Sequence, residues 1–224
     1  MINSESSLEL YHATESICSE RVRMTLYEKN IEEWDDHRLL LFKGDQFSPD
    51  YLELNPKAQV PTLVHDGHVV RESSNICNYI DDEFSSGNSL KPDSNQGQSD
   101  MREWVKNSDE SLYQAVSSLS FSVVFRERLS AMGEEAREAH FSKQLDIERT
   151  HRQRSCVADG NRSSYVLRAV VAWEKMMSAI EATLEKGGPW IMGNQYTLVE
   201  IAIGPFLMRV QDLNLLPIWM ENRP

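Results

Sequence analysis

The apolar positions of this chain change period along its length. Leu8-Glu9-Leu10-Tyr11 alternates as a short strand does, and the polar stretch Ala13 to Ser16 follows it as a loop. Val22, Met24, Leu26 and Tyr27 lie within a helical stretch from Ser19 to Lys29, and Asn30 stands where asparagine commonly ends a helix. A second strand is expected between Glu33 and Leu41. Pro49 suits a first helical turn, which predicts a short helix over 49–55. Val60 to Val64 and Val69 to Arg71 are apolar runs joined by His65-Asp66-Gly67-His68, and Asp-Gly in that place predicts a hairpin. A helix over Ser73 to Glu83 places Ile76, Tyr79 and Ile80 on one face. The predicted order is β-α-β-α-β-β-α.

Beyond residue 85 the pattern differs. Ser85 to Gln98 is dense in Ser, Gly, Asn, Pro and Asp, the composition of a linker. Strand signals then fade. Residues 99–130, 133–154 and 161–186 read as long helices, Gly187-Gly188-Pro189 ends the third, and Thr197 to Leu213 reads as another. Arg126 to Arg154 is charged nearly all round and reads as a surface segment. Two unlike halves predict two domains: an α/β domain over 1–85, a linker over 86–98 and an all-helical domain over 99–224.

Composition narrows the partners. The 224 residues are 40% apolar and 26% charged, ordinary for a globular chain. A net charge of −12 repels phosphate backbones and argues against nucleic acid as a partner. No apolar run approaches the ~20 residues of a membrane span. Met1 to Glu9 is polar and acidic, unlike a secretory signal, so a cytoplasmic protein is expected. Cys18, Cys77 and Cys156 form no CxxC pair and are expected as free thiols, with Cys18 packed inside. The histidines at 12, 37, 65, 68, 140 and 151 show no HExxH pairing, and no metal site is expected.

Four segments carry chemistry. In Asn55-Pro56-Lys57-Ala58-Gln59-Val60-Pro61-Thr62-Leu63, a cis bond before Pro61 would turn the Val60 main chain outward to pair with an extended peptide. The other reading of Pro61 is an ordinary edge-strand proline. In Glu72-Ser73-Ser74, the Ser73 hydroxyl and a helix N-terminus suit a carboxylate while Glu72 suits an ammonium. A plain helix cap is the competing reading there. In Ser16-Ile17-Cys18-Ser19-Glu20-Arg21-Val22-Arg23, hydroxyls at Ser16 and Ser19 stand where disulfide exchange would need a thiolate. A hydroxyl there can instead cap the helix, or donate to a bound thiolate with the helix dipole assisting. Finally, Thr197-x-x-Glu200 within Trp190 to Ala202 is a capping box that starts a buried helix.

Taken in order, Ser-x-x-Ser, Asn-Pro-x-x-x-Val-Pro, Glu-Ser and Gly-x-x-Tyr-Thr-Leu-x-Glu resemble the soluble glutathione transferases, over 8–84 and 188–213 most strongly. The resemblance implies a thioredoxin-like N-terminal domain and an all-helical C-terminal domain. It implies that Val60 holds the cysteinyl backbone of glutathione, Glu72 and Ser73 its γ-glutamyl end, and Lys43 and Gln59 its glycyl end. Ser16 matches the thiol-activating serine of the serine-type classes. Thr25-Leu26-Tyr27-Glu28-Lys29, Gln59-Val60-Pro61 with His65-Asp66-Gly67, and Ser86 to Pro92 are more narrowly similar to the bacterial glutathione-dependent β-etherases, where the hydroxyl often stands at the place of Ser19. Two departures stand out. The capping-box acid is Glu200 where the family usually has Asp, and the sequence stops at Pro224 where relatives commonly add a helix, so a short chain or a pocket lacking one wall is expected.

The implied activity is attack by the glutathione thiolate, the co-substrate's sulfur, on a small apolar or aromatic electrophile, with β-aryl ether cleavage as the specific form. Trp104, Tyr113, Phe121 and Phe125 are candidates for the second pocket or for core. A glutathione-dependent isomerase or lyase and a non-catalytic binding protein are the alternatives. The resemblance also implies a homodimer, with Asp109 a candidate contributor to the γ-glutamyl amine.

Overall fold

The computed structural model describes residues 7–220. Most of the polar start Met1 to Glu9 and the closing stretch Glu221 to Pro224 lie outside the described residues. The chain divides into two compact units, Met1–Met101 and Arg102–Pro224.

The first unit is built on four strands, β1 (Leu8–His12), β2 (Asp35–Arg38), β3 (Thr62–His65) and β4 (His68–Arg71), in the order β2-β1-β3-β4. β1 and β2 run parallel, while β3 is antiparallel to both β1 and β4. Helix α1 (Ile17–Glu28) crosses between β1 and β2, α2 (Pro49–Leu54) precedes β3, and α3 (Ser73–Glu83) follows β4. Leu8, Leu10 and His12 of β1 point to the buried face. Leu10 meets Val22, Leu26, Leu63, Ile76 and Ile80 as the sealed core, each contributing about 1.5–3 kcal/mol by leaving water. The hairpin forms as the Asp-Gly pair predicts: Asp66 and Gly67 take φ of 50° and 79°, both positive as a type I′ turn requires.

The segment after α3 is ordered by α1. Lys29 Nζ donates to Asp81 Oδ1 at 2.9 Å and to the Asn88 carbonyl at 3.1 Å, and the Leu90 N–H reaches the same Asp81 oxygen at 3.0 Å. Both side chains of the ion pair are 3% exposed. Gly87 passes so close to the end of α1 that a Cβ there would lie 2.4 Å from the Glu28 carbonyl oxygen. The linker expected over 86–98 is therefore shorter as irregular chain, since α4 (Asn95–Asn107) already begins inside it.

Two of the expected helices, over 99–130 and 133–154, are broken into shorter ones, while those over 161–186 and Thr197 to Leu213 form as expected. After α4 come a π turn at Ser108–Leu112, α5 (Tyr113–Ser122), α6 (Val124–Ala131), α7 (Glu134–Ser142), α8 (Ile147–Asp159), α9 (Ser164–Leu184), α10 (Leu198–Asp212) and α11 (Pro217–Met220). The helix predicted over 99–130 breaks at Val123, with φ −110° and ψ −82°, where two β-branched valines in a row weaken helix propensity. The helix predicted over 133–154 is interrupted before Asp146, whose carboxylate caps α8 by accepting the Arg149 N–H at 2.9 Å. Nor is Arg126 to Arg154 only surface: Leu129, Phe141, Arg152 and Gln153 are buried within it. The capping box of α10 forms as expected, and the longer Glu200 side chain also accepts the Ile191 N–H at 2.8 Å. Among the described residues no helix is long and apolar enough to cross a membrane.

Candidate functional site

Strand register brings the sequence-predicted positions to one end of the sheet. Tyr11 of β1 pairs with Thr62 of β3, which pairs with Arg71 of β4. At this row the chain leaves β1 toward Ser16, enters β3 from Val60 and leaves β4 toward Glu72 and Ser73. With strands about 4.8 Å apart, the three exits fall within about 10 Å. The start of α1 is tied to the start of α3 directly, since the buried Arg21 guanidinium reaches the hydroxyls of Ser73 at 3.5 Å and Ser74 at 3.4 Å.

The two candidate serines differ. Ser16 caps α1, accepting the Ser19 N–H at 3.2 Å, and is half-buried. A hydroxyl that accepts one hydrogen bond still has its own proton to donate, so capping and thiolate stabilisation are compatible at the same moment. Ser19 is fully buried, and its Oγ accepts the Ala13 N–H at 3.3 Å. It faces the loop from behind. Helix α1 begins at Ile17, two residues earlier than expected, which is what makes Ser16 the cap. Cys18 is half-buried, not packed inside, because it falls on the first turn of α1.

The turn before β3 is held from within. The Gln59 carbonyl accepts from the Tyr51 hydroxyl at 2.5 Å and from Asn55 Nδ2 at 2.8 Å, and both side chains also reach Thr62 Oγ1. Burial, the largest influence on Tyr51, pushes its phenol up to about 12, so it stays a neutral donor. The Val60–Pro61 peptide is cis, and Val60 lies just outside the ladder that begins at Thr62. Its main chain forms no hydrogen bond with the described residues.

Glu72 takes the capping position of α3 but caps nothing with its side chain. Its φ is +69°, a conformation that costs a non-glycine residue of order 1–3 kcal/mol and gathers at functional sites. Its carboxylate pairs instead with Lys57 Nζ at 2.6 Å, in an exposed contact. Ser73, 8% exposed, opens the helix beside it. Gln59 is half-buried next to Val60, whereas Lys43 is exposed on the turn beyond β2 and no contact joins it to the others. Sequence reasoning missed Arg21, Tyr51 and Lys57 as supports of this site. An arginine inside a helix or a tyrosine in a short one carries no local signal of the long-range bond it makes.

In the second unit Trp104, Tyr113, Phe121 and Phe125 are half-buried. Phe121 and Phe125 meet edge to face across the Val123 break, with centroids 5.0 Å apart.

Comparison with known proteins gives a consistent family. Residues 15–83 match the glutathione S-transferase N-terminal domain. The chain is 36% identical over 142 residues to LigF of Sphingobium sp. strain SYK-6, covering 63% of this chain and 55% of LigF. It is 28% identical over 226 residues to the tetrachloro-p-hydroquinone reductive dehalogenase of Sphingobium chlorophenolicum, covering 97% of this chain and 88% of that enzyme. The crystal structure of the β-etherase LigF superposes with a TM-score of 0.79, at 28% identity, over 97% of this chain and 96% of that one. A glutathione transferase from Burkholderia graminis, solved with two glutathione molecules per subunit, shares the fold at 20% identity and a TM-score of 0.71, over 96% of this chain and 78% of that one. With a thioredoxin-like sheet and a helical second unit, the chain has the glutathione transferase fold, and residues 15–83 match the glutathione S-transferase N-terminal domain.

Proposed function

We propose that this protein is a glutathione-dependent transferase that uses the glutathione thiolate to attack an aromatic electrophile, with cleavage of a β-aryl ether as the preferred form. The observation that carries the reading is the common row of exits at Tyr11, Thr62 and Arg71, which gathers a hydroxyl, a free main-chain segment and a helix start. Residues 1–85 serve glutathione, 86–98 link, and 99–224 serve the second substrate and a homodimer in the cytoplasm.

In this reading the Val60 N–H and C=O pair with the cysteinyl main chain as an added strand would. The uncapped first turn of α3 and the Ser73 hydroxyl take the γ-glutamyl carboxylate, and Glu72 takes its ammonium. Gln59 and Lys43 serve the glycyl end. Ser16 donates its proton to the sulfur, assisted by the N-terminal field of α1. A free thiol ionises near 8.5, so a fall of about two units leaves the sulfur mostly thiolate near neutral pH. The thiolate forms a carbon–sulfur bond as the carbon–oxygen bond breaks, and the electron pair leaves as phenolate. Positioning and charge stabilisation suffice, with no covalent enzyme intermediate.

The names of LigF and of the dehalogenase support aryl ethers and halogenated aromatics as the substrates to try. Incubation with glutathione and a panel of both classes should release phenol or halide while consuming glutathione. Tight glutathione binding without turnover of any member would refute the enzyme reading. Product analysis separates transfer, which consumes glutathione, from isomerisation, which returns it. Gel filtration at micromolar concentration tests the dimer, and Asp109→Ala tests its part in holding the amine.

A further inference from the structure

Behind the loop from Ala13 to Ser16 lies a polar cluster that the proposed chemistry does not use. Arg23, on α1, folds back toward the loop. Its Nη1 donates to His12 Nδ1 at 2.9 Å and to the Ala13 carbonyl at 3.3 Å, and its Nη2 donates to the Thr14 carbonyl at 3.4 Å and to Glu20. Arginine has donors only, so His12 Nδ1 must accept and the imidazole proton sits on Nε2. From there it is donated to Asp36 Oδ1 at 2.6 Å, and Arg38 Nε holds the other Asp36 oxygen at 2.8 Å. The edge of Trp34 packs on His12 with centroids 5.6 Å apart, and His12 is 2% exposed. Burial, with Arg23 and Arg38 adding to it, lowers the pKa of His12 against the pull of Asp36, so the ring is neutral as this tautomer requires.

The loop is thus gripped at both faces of one residue. The Ala13 N–H is taken by Ser19 Oγ, and the Ala13 carbonyl receives both Arg23 and the Ser16 N–H, the latter at 3.2 Å. We propose that Arg23 is a positioning residue for Ser16: one guanidinium, oriented by His12 and Asp36, fixes the Ala13 and Thr14 carbonyls and so aims the Ser16 hydroxyl at the thiol. This rests on the function proposed above. Only a planar fork can serve a ring nitrogen and two carbonyls together, and a lysine ammonium lacks that geometry.

The test uses Arg23→Lys and His12→Gln in the full chain. The pKa of enzyme-bound glutathione is read from its ultraviolet thiolate absorbance. The affinity for S-methylglutathione, whose sulfur cannot ionise, is read by calorimetry. Arg23→Lys should raise the bound thiol's pKa by about one unit, a roughly tenfold loss of thiolate below that pKa, with S-methylglutathione affinity unchanged. His12→Gln should move it the same way by less, and it carries the test if Arg23→Lys fails to fold. An unchanged thiol pKa in a folded variant overturns the proposal. So does a loss of S-methylglutathione affinity that matches the loss of activity, which marks a structural role. If the parent protein itself does not lower the thiol pKa, the proposed function falls, and this inference falls with it.

Discussion

The two units treat buried polar groups in opposite ways. In the sheet unit, buried cations and hydroxyls are spent on protein partners: Lys29 on Asp81, Tyr51 and Asn55 on Gln59, Ser19 on Ala13. One buried side-chain atom there, Gln46 Oε1, lacks a partner among the described residues. In the helical unit five do: Ser120 Oγ, Arg149 Nε, Arg152 Nε, Gln153 Oε1 and Trp173 Nε1. Unspent buried donors are costly and are usually met by water or a bound molecule. Under the proposed function, the sheet unit would be pre-set for its co-substrate, while the helical unit keeps hydrogen-bonding capacity in reserve.

The contrast is sharpest for two buried cations, Lys29 with its ion pair and Arg152 with its Nε lacking a hydrogen-bond partner among the described residues. Lys29→Met strips the partner from buried Asp81 and should lower stability by about 3–5 kcal/mol in urea unfolding, the largest effect expected. A small loss would erase the contrast. Ser16→Ala should cost about 1 kcal/mol of fold stability through the lost cap of α1 while cutting turnover by roughly 10²–10³, about 2.7–4 kcal/mol of transition-state stabilisation. Ser19→Ala should cost a similar amount, about 1 kcal/mol of fold stability, through the freed Ala13 N–H, with a smaller loss of turnover. Arg152→Met, in the helical unit, should cost much less than Lys29→Met, because the buried Arg152 Nε has no hydrogen-bond partner among the described residues. A loss as large as that of Lys29→Met would mean that the Arg152 Nε is satisfied after all.

A further effect is with pH. His12 is held below its ordinary 6.5 first by burial, and His140 likewise by burial, then by Lys143 and Arg128. Each is neutral in the fold, and the unfolded chain takes up the proton first on acidification. Their stabilisation is therefore complete above 6.5 and is lost as pH falls below it, by up to about 1.4 kcal/mol per pH unit per group. His12→Gln and His140→Gln should each flatten this acid limb, measured as urea midpoints across pH. The greater flattening is expected from His12, which is 2% exposed.

How much of this could be read in advance follows the same division. The sheet unit has strong local signals: alternation at Leu8–Tyr11, Asp66-Gly67 at the hairpin, and the proline at 61, so its elements and the ends of its strands were legible. The helical unit was legible as helices but not in its breaks. Val123 carries only a weak propensity signal, and the Asp146 cap is one carboxylate among many in a charged stretch. In the candidate site, the residues proposed to face the ligand sit in short motifs and could be named. Their supports, Arg21, Arg23, Tyr51 and Lys57, act through partners distant in sequence, which spacing along the chain does not reveal.

Gly87 has an evolutionary consequence. Because its backbone all but touches the last turn of α1, the smallest side chain at that place would lift the connecting segment from Lys29 and Asp81 together. Drift at position 87 is thus policed by atoms almost sixty residues upstream. Sequences that carry anything but glycine there should have a differently routed connector, even where every ligand-facing residue is kept.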